Sequence, residues 1–514
     1  MRKRIALLLA VLMLMTAGPV SVCYAEAAEE PQAEAVTSSD FVSPAEQGSS
    51  FQDNIVTTNH TAVIQGKEIS YTAQAGTMFL ETGGSNCEIF FTAYILDGTE
   101  DPSERPITFA FNGGPGSCSM PLHVGCLGPR RVDVDKNGYA KTMPAKMTDN
   151  ENSLLDLTDL VIIDAVGTGY SRSLEESEDP FIGYYYDVRT FGDFIRQYVN
   201  RNNRWGSKKY VAGESYGTTR AIGLCKYLAD AYSMNLNGLI LISSVNDYSA
   251  IFPAEGNEMP YAMLIPTFAA DAWYQGVLAP EYQGMQLEDF LEEVREFVEG
   301  EYVPALFQGS RLTEEEMNAL AEKLAGYTGL TKEYVLGSNL RVDLDSFLVE
   351  LLKDRKLVVG RYDGRITGPH TGDSMDNGQD DPSGTAFDLS FGNAFNNYVV
   401  SELGFQTDRT YIPLSDEIND AWTFSLSSWG GYMSQEKVIH ECISKNPFLK
   451  IWVLCGYYDG ATPFYSAEYT FSHIFLNEGQ KDRLIFTYYP CGHMIYMEKQ
   501  SFDQFRKDAE AWFA

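Results

Sequence analysis

The chain is poor in basic residues and has no closely paired cysteines, and each shortage disfavours a class of function. Its 514 residues include 38 Lys and Arg against 71 Asp and Glu, a formal net charge of −33. Such a surface repels phosphate backbones and anionic membranes, so we expect no nucleic-acid partner and no peripheral membrane role. No Cys-x-x-Cys pair occurs among the eight cysteines, which argues against a structural zinc site.

Other metal and cofactor motifs are incomplete. His440-Glu441 would need a second histidine at position 444 to form a zinc-protease motif, and that position holds Ser444. The acidic loop at 371–384 fails as a calcium-binding loop because Met375 occupies a ligand position. No P-loop or Gly-x-Gly-x-x-Gly follows a strand-like run. We therefore expect neither a metal nor a cofactor.

Long apolar runs are scarce as well. Basic residues at 2–4 precede an apolar run at 5–17, which is shorter than the ~20 residues of a membrane-spanning helix. A basic start, a short apolar run and small residues such as Ala25 are typical of a secretory signal. We expect a signal peptide at 1–25 and a flexible acidic leader at 26–50. The protein would then be secreted or extracytoplasmic, without stable membrane insertion after the signal is removed.

Hydrophobic residues make up 44% of the chain, and some of them form strand-like runs. From residue 61 to 95 apolar and polar residues alternate between turns, which predicts antiparallel strands. Later runs such as PITFAFN, DLVIIDA and KIWVLCG are continuously apolar, as in buried parallel strands. Helical stretches separate them, so we expect an α/β fold around a mostly parallel sheet.

A block without this strand rhythm lies later in the chain. Residues 287–298 carry apolar side chains at helical spacing, and Thr313 with Glu316 forms a capping box ahead of another helix. A helical block that interrupts a sheet domain is an insertion. The predicted organisation is a first core part at 51–249, a mainly helical cap insertion at 250–425 and a second core part at 426–514.

The most specific motif is Gly-Glu-Ser-Tyr-Gly at 213–217, directly after the strand KYVA and before a helix-like stretch. This is the pattern of a nucleophile elbow, a tight turn that lifts a serine hydroxyl above the sheet. Glycines stand two residues before and two residues after the serine because the tight turn leaves no room there for side chains. The N-terminus of the following helix faces the developing oxyanion. Ser215 is therefore the candidate nucleophile.

A serine nucleophile needs a base, and the base needs an orienting acid. With a nucleophile elbow, the acid and then the base follow the serine on loops after late strands. Asp459 follows the strand KIWVLCG, and His493 follows the next strand, RLIFTYY. Either residue alone is as easily explained by a turn or a buried polar contact. Their joint placement predicts the acid and the base.

A glycine-rich turn is the candidate oxyanion hole. The motif NGGPG at 112–116 follows the strand PITFAF, where this fold places its second backbone N–H donor. Glycine lets the backbone approach a substrate closely. An ordinary Gly/Pro turn is the alternative explanation.

These motifs, in this order, make the chain resemble the serine carboxypeptidase family, and its bacterial-type branch most. They are FNGGPGS (111–117), DAVGTGYS (164–171), GESYG (213–217), GYYDGATP (456–463) and GHM (492–494). The resemblance runs from about residue 60 to the C-terminus. It implies an α/β-hydrolase fold with a helical cap insertion after the nucleophile strand.

The resemblance also implies a serine-type carboxypeptidase that acts on peptide or protein C-termini through an acyl-enzyme. The implied roles are nucleophile, acid and base for Ser215, Asp459 and His493, oxyanion-hole N–H groups for Gly114 and Tyr216, and binding of the substrate carboxylate for Asn112, Gly113 and Glu214.

The chain departs from the well-known eukaryotic members at several positions. Ala110 stands where they have a tryptophan, and Ser117 where they have the cysteine that follows GGPG. Cys126 opens the segment CLGP where they read Glu-x-Gly-Pro. The active-site disulfide and the second glutamate of those members therefore have no matching residue here.

Two other functions remain open from the sequence alone. An acyl-enzyme can pass its acyl group to water or to another nucleophile, so an esterase or acyltransferase would use the same triad. A non-catalytic surface binding protein could keep the fold, although it would have no use for an intact triad.

Glu214 adjoins the nucleophile, so a bound terminal carboxylate would lie close to it. Two full negative charges ~3 Å apart would cost about 5 kcal/mol at an effective dielectric constant near 20. We therefore expect Glu214 and the carboxylate to share one proton, with the Asn112 amide donating beside them. Because His493 must be neutral to act as base, peptidase activity is expected to peak at mildly acidic pH.

Overall fold

The computed structural model describes residues 52–135, 138–370, 381–424 and 431–514. The predicted signal peptide and acidic leader at 1–50 lie outside the described residues. The seven cysteines within the described ranges are all buried and unpaired. No helix in these ranges combines the length and the apolar character that a membrane span needs.

A ten-stranded sheet forms the centre of the fold. The described strands are β1 (Asn54–Ile64), β2 (Lys67–Thr82), β3 (Ser85–Leu96), β4 (Ile107–Phe111), β5 (Arg130–Val132), β6 (Met147–Asp149), β7 (Asp159–Ile163), β8 (Arg172–Ser173), β9 (Lys209–Glu214), β10 (Gly238–Ile242), β11 (Leu357–Val359), β12 (Thr367–Pro369), β13 (Lys450–Gly456) and β14 (Leu484–Tyr489). The order in the sheet is β1-β2-β3-β7-β4-β9-β10-β13-β14, and β8 pairs with β3. The pairs β1–β2, β2–β3 and β3–β7 are antiparallel. Each neighbouring pair from β7 through β4, β9, β10 and β13 to β14 is parallel.

The parallel strands are buried on both faces. In β10, Leu239 and Leu241 belong to one hydrophobic core, whereas Ile240 and Ile242 belong to another. This burial on both faces explains why the parallel strands have continuously apolar sequences. The edge strand β1 is exposed or half-buried along most of its length, so its sequence alternates. The mostly parallel sheet predicted from the sequence is confirmed.

Helices pack against both faces of the sheet. The described helices are α1 (Tyr184–Arg201), α2 (Tyr216–Tyr232), α3 (Met259–Gln275), α4 (Pro280–Gln283), α5 (Leu287–Phe297), α6 (Val303–Gln308), α7 (Glu314–Thr328), α8 (Lys332–Gly337), α9 (Leu344–Glu350), α10 (Pro382–Ser401), α11 (Asp416–Ala421), α12 (Glu436–Lys445), α13 (Phe464–Ser472), α14 (Glu478–Lys481) and α15 (Lys499–Phe513). Phe191 of α1 and Leu224 of α2 join one core, and Phe502 and Phe505 of α15 join the other.

The chain between β10 and β13 is mainly helical and contains α3 to α12. Helix α5 begins at Leu287, as its apolar spacing predicts. Thr313 and Glu316 form the predicted capping box at the start of α7, with both reciprocal hydrogen bonds present. The block also contains β11 and β12, a short antiparallel pair that the sequence does not predict.

The carboxyl ends of the parallel strands meet at one edge of the sheet. Asn112 follows β4, Ser215 follows β9, and the loops after β13 and β14 carry Asp459 and His493. In open α/β sheets this edge is where ligands bind. The fold thus brings together residues that are up to 381 positions apart in sequence (493 − 112).

Candidate functional site

Ser215 occupies a strained turn between β9 and α2. Its backbone has φ 61° and ψ −131°, a conformation that residues other than glycine rarely adopt. The Ser215 N–H donates to the Ile242 carbonyl oxygen at 3.0 Å, which holds the turn against β10. A Cβ atom at Gly213 would lie 2.1 Å from the Gly217 oxygen. The small flanking residue is therefore required by the turn, as the sequence predicts.

Asp459 and His493 form a buried hydrogen-bonded pair. His493 Nδ1 lies 2.8 Å from Asp459 Oδ2, and the side chains are 5% and 0% exposed. Asp459 Oδ1 accepts the N–H groups of Ala461 and Thr462, both at 2.9 Å. The Thr462 hydroxyl donates to Asp459 Oδ2 at 2.6 Å. These contacts fix the carboxylate so that it orients the imidazole.

The loop of His493 is held by the helical block and by the sheet. The His493 N–H donates to the main-chain oxygen of Tyr362, 2.6 Å away, in the segment between β11 and β12. The Ser243 hydroxyl donates to the His493 carbonyl at 2.6 Å. A Cβ atom at Gly492 would lie 2.2 Å from the Tyr362 oxygen, so this close approach requires glycine.

Opposing effects act on the proton affinity of His493. Burial lowers the pKa of the imidazole, but the carboxylates of Asp459 and then Glu214 outweigh it, so the pKa is raised. Among the described residues no hydrogen bond joins Ser215 Oγ to His493. Such contacts often tighten only when substrate binds.

The glycine turn after β4 lies directly against the first turn of α2. A Cβ atom at Gly113 would lie 2.5 Å from the main-chain nitrogens of Tyr216 and Gly217. Gly114 has φ 100°, a conformation that strongly favours glycine. The turn thus places the backbone of Gly113, the neighbour of Gly114, against the N-terminus of a helix, where N–H groups lack helical partners.

A buried carboxyl group lies next to the candidate nucleophile. Glu214 is 3% exposed, and its Oε1 accepts hydrogen bonds from Asn112 Nδ2 at 2.6 Å and from the Tyr496 hydroxyl at 3.3 Å. Asn112 Oδ1 in turn accepts the Leu122 N–H at 2.9 Å, which fixes the orientation of the amide. Oε2 of Glu214 is buried and has no hydrogen-bond partner among the described residues.

Burial raises the pKa of Glu214 to about 7. Nearby His493 and the hydrogen bonds from Tyr496 and Asn112 act in the opposite direction, whereas Asp459 adds to the rise. Near neutral pH this carboxyl group therefore changes between a proton donor and an anion, which suits the predicted sharing of a proton with a substrate carboxylate.

All eight residues singled out by the sequence lie at this edge of the sheet. The other described histidines do not join them: His60 lies on the edge strand β1, His370 follows β12, His440 and His473 are exposed, and His123 is buried beside the Tyr94 hydroxyl at 2.5 Å.

Sequence reasoning missed a buried ion pair behind the site. Arg220 Nε donates to Asp187 Oδ2 at 2.8 Å, and Nη1 donates to the main-chain oxygen of Asn112 at 2.7 Å. The Tyr216 hydroxyl donates to the same carboxylate oxygen at 2.9 Å. Arg220 thus links the turn after β4 to the start of α2. Arg220 lies about one helical turn after the elbow, and nothing in the nearby sequence indicates that it would bind Asp187 and the Asn112 carbonyl.

Comparison with known proteins supports the resemblance. Residues 68–333 match the family model described as serine carboxypeptidase, which is more than half of the chain. The chain belongs to the serine carboxypeptidase family. The match includes the glycine turn and the elbow, whereas Asp459 and His493 lie beyond it.

Individual relatives in the family are distant. Serine carboxypeptidase-like 2 of Arabidopsis thaliana is 26% identical over 184 residues, which cover 33% of this chain and 40% of that protein. The pheromone-processing carboxypeptidase KEX1 of Saccharomyces cerevisiae is 29% identical over 144 residues, 26% of this chain and 18% of that protein. The chain therefore spans less than half the length of these curated relatives.

The fold of the family is shown by a solved structure. The crystal structure of the prohormone-processing carboxypeptidase KEX1(delta)p of Saccharomyces cerevisiae superposes with a TM-score of 0.53 and 16% identity, covering 86% of this chain and 91% of that one. The predicted α/β-hydrolase fold is thus confirmed.

We predict that Gly113→Ala impairs the site by overpacking. The added methyl group would press on backbone atoms that cannot move aside, at a cost of about 1–3 kcal/mol of stability. We expect a measurable fall in Tm and a loss of at least about tenfold in kcat/KM on a small activated ester, because the candidate oxyanion-hole donors would shift.

The matched control is Gly337→Ala, since a Cβ atom there meets nothing within 4 Å. It should keep kcat/KM within about twofold of the wild type. Wild-type esterase activity in Gly113→Ala would contradict the close packing of the glycine turn on α2.

Proposed function

We propose that the protein is a serine-type carboxypeptidase that hydrolyses the C-terminal peptide bond of its substrates. The observation that carries this proposal is the buried Asn112–Glu214 pair, directly before the nucleophile and fixed by a 2.6 Å hydrogen bond. A general esterase has no need for a protonatable carboxyl group there. An enzyme that binds a C-terminal carboxylate needs such a group, because a protonated carboxyl group can donate a hydrogen bond to that anion.

In the proposed reaction Ser215 attacks the carbonyl carbon of the last peptide bond. His493 accepts the hydroxyl proton and then donates it to the departing amine, and Asp459 stabilises the imidazolium between the two steps. The N–H groups of Gly114 and Tyr216 stabilise the negative charge on the carbonyl oxygen. Water, activated by His493, then releases the acyl group from the serine.

Recognition of the chain end depends on one proton. At a pH below about 7 Glu214 is protonated and donates to the substrate carboxylate, and the Asn112 amide lies beside it. Above that pH two anions face each other in a buried pocket unless a proton is taken up on binding, so binding weakens as pH rises.

We further propose that the insertion at 250–425 caps the site and restricts entry to chain ends. Two parts of it reach the site. Tyr362 holds the His493 loop, and Asn419 Nδ2 donates to the Pro115 carbonyl at 2.8 Å in the glycine turn. The Trp422 ring lies 5.2 Å from that of Tyr216. The core strand β10 ends at Ile242 and the next core strand, β13, begins at Lys450, which supports the proposed core parts at 51–249 and 426–514.

The predicted signal peptide supports export of the protein. We propose that residues 1–25 direct secretion or transfer out of the cytoplasm and that the mature enzyme acts on peptide or protein C-termini there.

We predict that Ser215→Ala and His493→Ala each lower kcat by at least about 10⁴-fold while the protein stays folded, because the three residues act as a unit. A fluorophosphonate probe should label the wild type and not Ser215→Ala. The control is Ser472→Ala, an exposed serine at the end of α13, which should be labelled like the wild type. Undiminished turnover by folded Ser215→Ala would remove the serine-hydrolase proposal.

A second prediction concerns pH. Because the pKa of His493 is raised, the neutral imidazole that acts as base forms only at a higher pH than usual, which sets the acidic limb of the profile. The Glu214 proton is lost as pH rises through about 7, which sets the alkaline limb. For a peptide with a free C-terminus we therefore expect a narrow bell-shaped profile of kcat/KM, nearer to neutral than the mildly acidic optimum that the sequence suggests. The same peptide as a C-terminal amide should lack the alkaline loss.

Glu214→Gln tests the same proton, since the amide donates at every pH and should flatten the alkaline limb for the free peptide. If the wild type cleaves the free peptide and its amide equally from about pH 4 to 9, the carboxypeptidase proposal fails and an endopeptidase or esterase takes its place.

A further inference from the structure

Tyr496 connects the loop of the candidate base to the carboxyl group beside the nucleophile. It lies three residues after His493 in the short helical turn Ile495–Met497, and it is 0% exposed. Its hydroxyl lies 3.3 Å from Glu214 Oε1. The Arg131 guanidinium donates to the Tyr496 carbonyl at 3.2 Å, which holds the turn in place.

The surrounding structure is shaped to admit the Tyr496 ring. A Cβ atom at Gly125 would lie 2.5 Å from Tyr496 Cε2, so any larger residue would displace the ring. The next residue, Cys126, is fully buried, and burial followed by the charge of Glu214 raises the pKa of its thiol. A neutral thiol is a weak donor. The phenol hydroxyl is the stronger donor on this side of Glu214.

The hydrogen bonds leave the two oxygens of Glu214 in different states. Oε1 accepts from both Asn112 and Tyr496, and an oxygen with two donors aimed at it has no direction left for a proton of its own. Oε2 is buried without a partner among the described residues. The proton of neutral Glu214 is therefore directed to Oε2.

We propose that Tyr496 is a positioning residue that confines the Glu214 proton to Oε2, so that this oxygen donates to the terminal carboxylate of the substrate. The proposal rests on the proposed carboxypeptidase function and assigns a residue of the recognition step. No covalent bond is made or broken. Tyr496 and Asn112 donate to Oε1 of Glu214, and the O–H group on Oε2 donates to the substrate carboxylate.

Several charged or titratable groups face Glu214 from the elements packed on it. His493 and Asp459 act from the loops after β14 and β13, and Cys126 acts from the turn at Leu122–Leu127. None of them changes when the Tyr496 hydroxyl is removed. A difference in pH dependence between the wild type and Tyr496→Phe therefore reports on Glu214.

The test is Tyr496→Phe, which keeps the ring and removes only the hydroxyl. Loss of a donor favours the neutral form of Glu214, so the alkaline limb of kcat/KM for a free-carboxylate peptide should move up by about 0.5–1 pH unit. KM for that peptide at about pH 6 should rise roughly threefold to tenfold, because the proton is no longer confined to one oxygen. kcat, and kcat/KM on the C-terminal amide, should stay within about twofold of the wild type.

The matched control is Tyr327→Phe, which removes another phenol from a carboxylate: the Tyr327 hydroxyl donates to Glu293 at 2.9 Å within the helical block. It should leave the pH profile and KM unchanged. An unmoved alkaline limb and KM in Tyr496→Phe would overturn the proposal, as would an equal loss on the free peptide and the amide. If instead the wild type does not distinguish the two peptides, the proposed function itself fails.

Discussion

The hydrogen bond from Asn112 to Glu214 joins the two parts of the molecule on which the site depends. Asn112 directly follows β4 and opens the glycine turn, and Glu214 ends β9 and precedes the strained serine. Because the bond is buried, breaking it would leave an unpaired amide and carboxyl group, at a cost of about 1–3 kcal/mol or more. Arg220 supports the same junction from behind by binding the Asn112 carbonyl. The relative position of the proposed nucleophile and the proposed oxyanion-hole donors is thereby fixed before substrate arrives.

Much of the fold and of the site could be predicted because the signals are local. Ser215, Asp459 and His493 each follow a strand-like run, and the parallel sheet brings such positions to one edge. The capping box at Thr313 and the helix that begins at Leu287 depend on spacing within a few residues, and both are confirmed. The core and cap boundaries and the roles of the site residues stay predictions.

What could not be predicted depends on contacts between distant segments. The support that Tyr362 gives to His493 crosses from the helical block to the core, and no spacing in the sequence indicates it. The contact of Tyr496 with Glu214 requires glycine at position 125, because a side chain there would collide with the Tyr496 ring. The pH dependence could not be predicted for the same reason. The pKa of His493 is raised by Asp459 and Glu214, and only the fold determines how close these carboxylates lie to the imidazole.

The central claim is that a substrate carboxylate is bound through one proton on Glu214. The most direct measurement is calorimetric binding of a free-carboxylate peptide to Ser215→Ala in buffers of different ionisation enthalpy, with the C-terminal amide as control. At about pH 8, above the raised pKa of Glu214, we expect binding of the free peptide to take up close to one proton from the buffer, and binding of the amide to take up none. Equal proton uptake for the two peptides, or none for the free carboxylate, would contradict the account.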